Sequence, residues 1–138
     1  MGTTITKKAP TKKKKKKIKD YVSWFEIPAL NFERAKYFYN QVFDIDMETV
    51  ELNGYAMAFF PAAKGIGGAV VAGPGSVPGE SGPLIYLNGG EDLNEVLQRV
   101  DDAGGRVIMG KTLINEEYGY FALFIDSEGN KLALHSNQ

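Results

Sequence analysis

Cysteine is absent from the 138 residues, which excludes disulfides and thiolate metal sites and leaves the redox compartment open. No run of about eighteen apolar residues occurs, so no segment is suited to crossing a membrane as a helix. No G-x-S-x-G is present, so a nucleophile elbow is excluded. The glycine-rich run Gly65-Ile66-Gly67-Gly68 neither opens a helix nor carries a P-loop lysine, and a phosphate cradle is not supported. Basic residues are scarce wherever the chain looks foldable. Nine of the sixteen (Lys7, Lys8, Lys12 to Lys17 and Lys19) fall in the first nineteen positions, leaving seven against seventeen acidic residues from Asp20 onward, a net of −10. The body is therefore no nucleic-acid platform. The lysine run, residues 1–19, cannot bury surface and is expected to be disordered, with non-specific polyanion contact as its one functional reading.

What is present is an ordinary soluble composition, 43% hydrophobic and 24% charged, in a length that suits one domain. The most informative stretch is WFEIPALNFERAKYFYNQVF, residues 24–43. Tyr21 to Ala29 alternates and is rich in strand formers. Asn31 is a good helix N-cap, and Phe32, Ala35, Phe38, Tyr39, Val42 and Phe43 then form one apolar helical stripe. Met47 to Leu52 and Tyr55 to Phe60 flank Asn53-Gly54, a strong hairpin signal. Ile66 to Ala72 makes a further strand. GPGSVPGESG, residues 73–82, reads as a linker. The pattern then restarts, with a strand at Leu84 to Leu87 and a helix capped by Asp92 with Glu95 in capping-box position. That helix carries Leu93, Val96, Leu97, Val100 and Ala103 as its stripe and stops at Gly104-Gly105. Strands follow at Arg106 to Met109, Tyr120 to Ile125 and Lys131 to Ser136.

The chain thus predicts an α+β fold of two βαβββ modules, about residues 20–72 and 83–136. One small sheet with a helix on one face needs cover on the other. Two copies side by side give a curved mixed sheet around a cleft, with the helices outside. Strand parity selects the residues that look into such a cleft. On the first strand Trp24 and Glu26 share the inner face, while Phe25 and Ile27 pack on the helix. On the last strand Ala133 and His135 share it. Glu26 and His135 are the candidate catalytic or anchoring groups, suited to acid–base work or to polar contact with a ligand. Tyr55, Met57, Phe59, Tyr86, Tyr118 and Tyr120, with Trp24, are the candidate ligand-binding wall, a stacking surface for a planar molecule.

FEIPALNFERAKYFYNQVF, LNEVLQRVDDAGGRV and YGYFALFIDSEGNKLAL, in this order and spacing, resemble the vicinal oxygen chelate superfamily of glyoxalases, extradiol dioxygenases and bleomycin-resistance proteins. The resemblance covers Tyr21 to Ser136. It implies a divalent metal in the concavity, held by His, Glu or similar side chains from the first and last strands of each module. Carried over one at a time, those positions fall on Trp24, Ala69, Ile85 and Ala133, none of which can ligate a metal through its side chain. The expectation is a divergent member with no metal and no cofactor, binding a small organic molecule. The alternative is a metal-dependent lyase, isomerase or dioxygenase with an atypical site that uses Glu26. A homodimer and a cytoplasmic location complete the expectation.

Overall fold

The computed structural model describes residues 14–138, so the first thirteen positions of the lysine run lie outside the described residues. Lys14 to Lys17 and Lys19 are exposed and outside any helix or strand. The first module runs β1 (Trp24–Ala29), α1 (Phe32–Phe43), β2 (Glu48–Leu52), β3 (Tyr55–Phe59) and β4 (Gly67–Ala72). The second runs β5 (Tyr86–Asn88), α2 (Leu93–Val100), β6 (Arg106–Asn115), β7 (Gly119–Ile125) and β8 (Lys131–Ser136). Each makes a four-stranded mixed sheet, ordered β1-β4-β3-β2 and β5-β8-β7-β6. The first strand of each lies parallel to the last, and the remaining pairs are antiparallel. The two βαβββ units expected from the sequence are both present. Among the described residues no ladder joins one sheet to the other.

Local chemistry explains most boundaries. Asn31 caps α1, its side chain accepting from the Arg34 N–H at 3.0 Å. Asp44, in the left-handed region at φ 54°, closes the helix without a glycine. Asn53 and Gly54 take φ of 52° and 85°, the backbone that a tight two-residue hairpin turn requires. Asp92 caps α2 by accepting from the Asn94 N–H at 3.0 Å, and it also receives the Lys111 ammonium at 3.1 Å. Glu95 meets the Asp92 carbonyl through its own backbone N–H, while the Asp92 side chain accepts from Asn94 rather than Glu95, so the expected capping-box pairing is not made. β6 runs to Asn115, six residues beyond the predicted strand, because pairing with β7 holds it as far as Asn115 opposite Gly119. Three register shifts interrupt that pairing, which hides the strand's periodicity from the sequence.

One core unites the modules. α1 packs on β3 and β4, α2 packs on β6, β7 and β8, and the two helices touch each other. Phe38 and Tyr39 of α1 are fully buried, with Val42 beside them, and they share one cluster with Val96, Val100, Phe124, Leu132 and Leu134 of the second module. The Phe38 ring stacks on Phe124 at 6.1 Å. A polar clamp reinforces this junction. Buried Asp126 accepts from Tyr39 Oη at 2.7 Å, from the backbone N–H groups of Glu128 and Asn130 at 2.8 and 2.9 Å, and from Asn130 Nδ2 at 3.0 Å. Glu128 in the β7–β8 turn accepts from the N–H groups of Leu30 and Asn31 at 2.9 and 2.8 Å and pairs with Arg34 at 2.7 Å. A carboxylate of the second module thus sits at the N-terminus of the first module's helix, where the helix dipole favours it.

Candidate functional site

With the helix-side faces consumed by the core, the opposite faces of both sheets are open. On β1 the alternation is as expected: Ile27 and Ala29 are buried, Phe25 packs against the core, and Trp24 and Glu26 are exposed. Register carries this across the sheet. Glu26 lies opposite Ala69, Ala69 opposite Phe59, and Val71 opposite Met57. The open face of the first sheet therefore holds Trp24, Glu26, Tyr55, Met57 and Phe59, all five of the residues chosen there from parity. The Trp24 and Phe59 rings meet at 5.9 Å and 56°. Gly67 lies beneath the indole, where an added Cβ would come within 3.1 Å of the ring.

Three of these residues form a pocket of about 440 Å³. Glu26, Tyr55 and Met57 line it together with Leu52, Val71 and the linker residues Pro74, Gly75 and Ser76. The Tyr55 hydroxyl donates to the Pro74 carbonyl at 2.8 Å, which ties the linker down as a rim. Gly73, at φ 153°, lets the chain pass the Tyr55 ring, for a Cβ at that position would enter the ring. Leu52 was absent from the sequence-based set, although the Asn-Gly turn that places it opposite Tyr55 could have supplied it. The rim residues carried no such signal, since a Gly/Pro linker does not show where it folds back.

The second sheet arranges its candidates differently. His135, Tyr86, Asn88 and Gly90 line a pocket of about 580 Å³ at the end of β5 and β8. His135 Nε2 donates to the Tyr118 carbonyl at 2.6 Å, so the imidazole is pinned to the β6–β7 turn, and the exposed Tyr118 contributes its backbone to that contact. Tyr120 lies opposite Ser136, and Phe121 lies opposite His135. Tyr120 accordingly packs against the core on the helix side, under the Lys111 ammonium at 4.6 Å from the ring centroid. It does not share a face with His135. Phe121 is the residue beside the imidazole on the open face. The stretch YFALFI is apolar throughout, so its sequence alone could not say which alternate residues face outward. Glu26 and His135 line separate pockets, and no acid–base pair is assembled from them.

The positions implied for a metal resolve in the same way. Ala133 lies opposite Tyr86, and Ala69 opposite Glu26. Ile85 packs against the core, so the open-face neighbour of Ala133 is Tyr86. Trp24, Ala69, Ile85 and Ala133 offer no donor atoms, and Glu26 is a single carboxylate among apolar neighbours. Among the described residues, no three His, Asp or Glu side chains gather as a metal-holding group. These residues do not fit a divalent centre of the glyoxalase kind.

The groups whose titration is displaced lie outside this face. Burial first, and then the charge of Asp126, push the Tyr39 phenol well above its usual range. The Glu128 carboxyl is pushed up by burial, but the hydrogen bonds from Arg34, Asn31, Leu30 and Ser127 outweigh this and hold it below the usual range. Asp92 is held down by the Asn94 N–H and by Lys111. All three serve the module junction or a helix cap.

No protein-family model matches the sequence, and no curated protein matches it. Solved structures do match. TnmS3, an antibiotic-binding protein from Streptomyces sp. CB03234, is 23% identical with a TM-score of 0.59, over 86% of this chain and 97% of that one. A glyoxalase-related enzyme from Fulvimarina pelagi is 16% identical with a TM-score of 0.62, over 87% and 89%. A glyoxalase/bleomycin resistance protein/dioxygenase family enzyme from Burkholderia phytofirmans PsJN is 13% identical with a TM-score of 0.60, over 84% and 98%. The chain has the fold of the glyoxalase, bleomycin-resistance and dioxygenase proteins, the fold its sequence resembled. Among the described residues no helix is long and apolar enough to cross a membrane.

Proposed function

We propose that the protein binds a small, planar organic molecule on the open face of its first sheet, without a metal centre. The observation that carries this is the pocket with Tyr55 and Met57 as its floor and Glu26 as the one charged group among the described residues that line it, closed on one side by the linker that Tyr55 holds. An aromatic and thioether floor suits a flat ring system. A lone carboxylate beside it suits a ligand with a hydroxyl, amine or guanidine donor at its edge, because a charge-assisted hydrogen bond is stronger than a neutral one. The pocket's size falls within the range of about 300–1,000 Å³ usual for small-molecule sites. TnmS3, which shares the fold, is an antibiotic-binding protein, a precedent for ligand capture on this architecture.

The test uses the chain's single tryptophan. Trp24 stands on the same strand face as Glu26, two residues away, so its fluorescence reports occupancy of that face without a label. Screening planar amines and phenols by Trp24 quenching, with thermal shift in parallel, should give saturable binders. Glu26→Gln should weaken the binders that carry a donor by about tenfold, or about 1.4 kcal/mol, and Met57→Lys should abolish binding. Saturable binding that both variants leave intact would refute the site. The same reading takes a second copy of the chain as its partner. Its support is the apolar surface left on the outer strands, where Leu52 of β2 and Ile108, Met109 and Ile114 of β6 are exposed. Light scattering over a concentration series tests that state directly.

A further inference from the structure

The open faces are not the most apolar concavity of this molecule. A groove of about 600 Å³ lies on the other side of β1, bounded by the chain ahead of β1, by β1 itself, by the segments that follow α1 and β3, and by the strand that opens the second module. Its walls include the rings of Phe25, Phe43 and Phe60 with the aliphatic side chains of Ile45, Ile85 and Leu87, and among the described residues no charged one lines it. These rings are held in place from behind. Phe60 sits 5.5 Å from Phe25, 6.4 Å and near-perpendicular from Phe43, and 5.4 Å from Tyr39, which is wholly buried. Gly68 opposite Phe25 makes room for that ring, since a Cβ there would run into it. A glycine inside a central strand costs β-stability and marks a close approach. Here it allows an aromatic ring to lie over β4 and turn its outer surface to the groove. Phe25, Phe43 and Phe60 are not among the open-face candidates, of which Tyr86 alone also lines the groove, and strand parity separates Phe25 from Trp24 and Glu26.

We infer that this groove is a second ligand site, taking a neutral, largely apolar ring compound. Three fixed aromatic walls favour a ring system by shape and by edge-to-face contact. The uncharged lining would leave an ionised ligand desolvated without a partner, so charged compounds are rejected. At one end, Asn88 accepts from the Gly90 N–H at 2.9 Å through Oδ1. This fixes the amide so that its NH2 is the group presented to a ligand, which favours a carbonyl or ether oxygen there. The two sites thus divide ligands by charge: a donor-bearing planar molecule opposite Glu26, and a neutral hydrophobe in the groove.

The experiment titrates the full chain with 6-propionyl-2-(dimethylamino)naphthalene, a neutral ketone dye without a hydrogen-bond donor that brightens in apolar surroundings. A saturable rise with one site per chain is expected. Leu84→Glu puts a charge at the groove, and Ala62→Trp fills it without adding charge; each should weaken the dye by at least about tenfold while the unfolding temperature shows the fold intact. Leu113→Glu adds the same charge to an exposed apolar residue of β6 that is no part of the groove, and it should leave binding unchanged. Absence of saturation, or saturation that survives both groove variants, overturns the inference. So does a dimer, measured by light scattering, that Leu84→Glu dissociates and the dye never enters, for the groove would then be an interface between copies. Glu26→Gln, which tests the open face, is predicted to leave the dye unaffected, so failure of one site is distinguishable from failure of the other.

Discussion

Replacing Tyr39 by Phe removes one oxygen from the place where the two modules are joined, and its effect can be worked out in advance. The ring keeps its contacts with Phe38, Phe43 and Phe60 at 4.9, 6.2 and 5.4 Å, so no apolar burial is lost. What disappears is the hydrogen bond from Tyr39 Oη to the Asp126 carboxylate at 2.7 Å. A buried bond to a charged acceptor contributes about 1.5–3 kcal/mol. Asp126 keeps three donors, the N–H groups of Glu128 and Asn130 and the Asn130 amide, so it is not stranded, and a loss of about 2 kcal/mol is expected. The pH dependence is a second signature. Because the folded phenol is pushed well above its usual range, the unfolded chain loses this proton near pH 10 while the folded one keeps it. The unfolded state then binds fewer protons, so stability is full below about pH 10 and falls above it by about 1.4 kcal/mol per pH unit. Tyr39→Phe should remove that alkaline slope. Urea unfolding followed by circular dichroism, at neutral pH and between about pH 10 and 11, measures both effects. A neutral-pH loss under about 0.5 kcal/mol, or the same alkaline slope in wild type and variant, would refute the reasoning.

Asp126→Ala strips the acceptor from four donors at once and should cost more than Tyr39→Phe, at least about 3 kcal/mol, in the same unfolding measurement. Glu128→Gln tests the acid limb. The folded carboxyl is held below its usual range, so its contribution is present above about pH 4.3 and is lost as pH falls through the folded value. The variant should therefore show a flatter acid limb of stability against pH. Phe38→Ala opens a void between Phe124 and Gly105 and should cost about 3–5 kcal/mol, read as a lowered urea midpoint. Gly68→Ala drives a Cβ into the Phe25 ring and should cost about 1–3 kcal/mol, with a parallel loss of dye binding in the groove.

The open-face candidates divide according to how strongly local sequence constrains them. Glu26 was legible because Trp24-Phe25-Glu26-Ile27 alternates between polar-tolerant and apolar positions, and period two fixes the face once one residue is assigned. Tyr55, Met57 and Phe59 followed from alternation along the third strand, which puts all three on one face. Tyr120 was misassigned because its strand is apolar on both faces, and only pairing with β8 shows that Tyr120 shares a face with Ser136 rather than with His135. The groove lined by Phe25, Phe43 and Phe60 was not foreseen. Each of those rings read as ordinary core of its own strand or helix, and their meeting depends on how three separate segments converge.

The sequence by itself determined the duplicated βαβββ modules, because caps, turns and hydrophobic periods are local and each specifies its own element. It also showed that the four positions the resemblance implies for a metal, Trp24, Ala69, Ile85 and Ala133, carry no metal-ligating side chain, whatever the fold does with them. Tertiary structure decided the rest. Two carboxylates, Asp126 and Glu128, bind the second module's turn to the first module's helix across more than eighty residues of sequence, a contact that no local pattern encodes. That junction commits both helix-side faces to one core and leaves the opposite faces bare. Where Glu26, His135 and the aromatic side chains come to stand, and which of them share a pocket, follows from that packing.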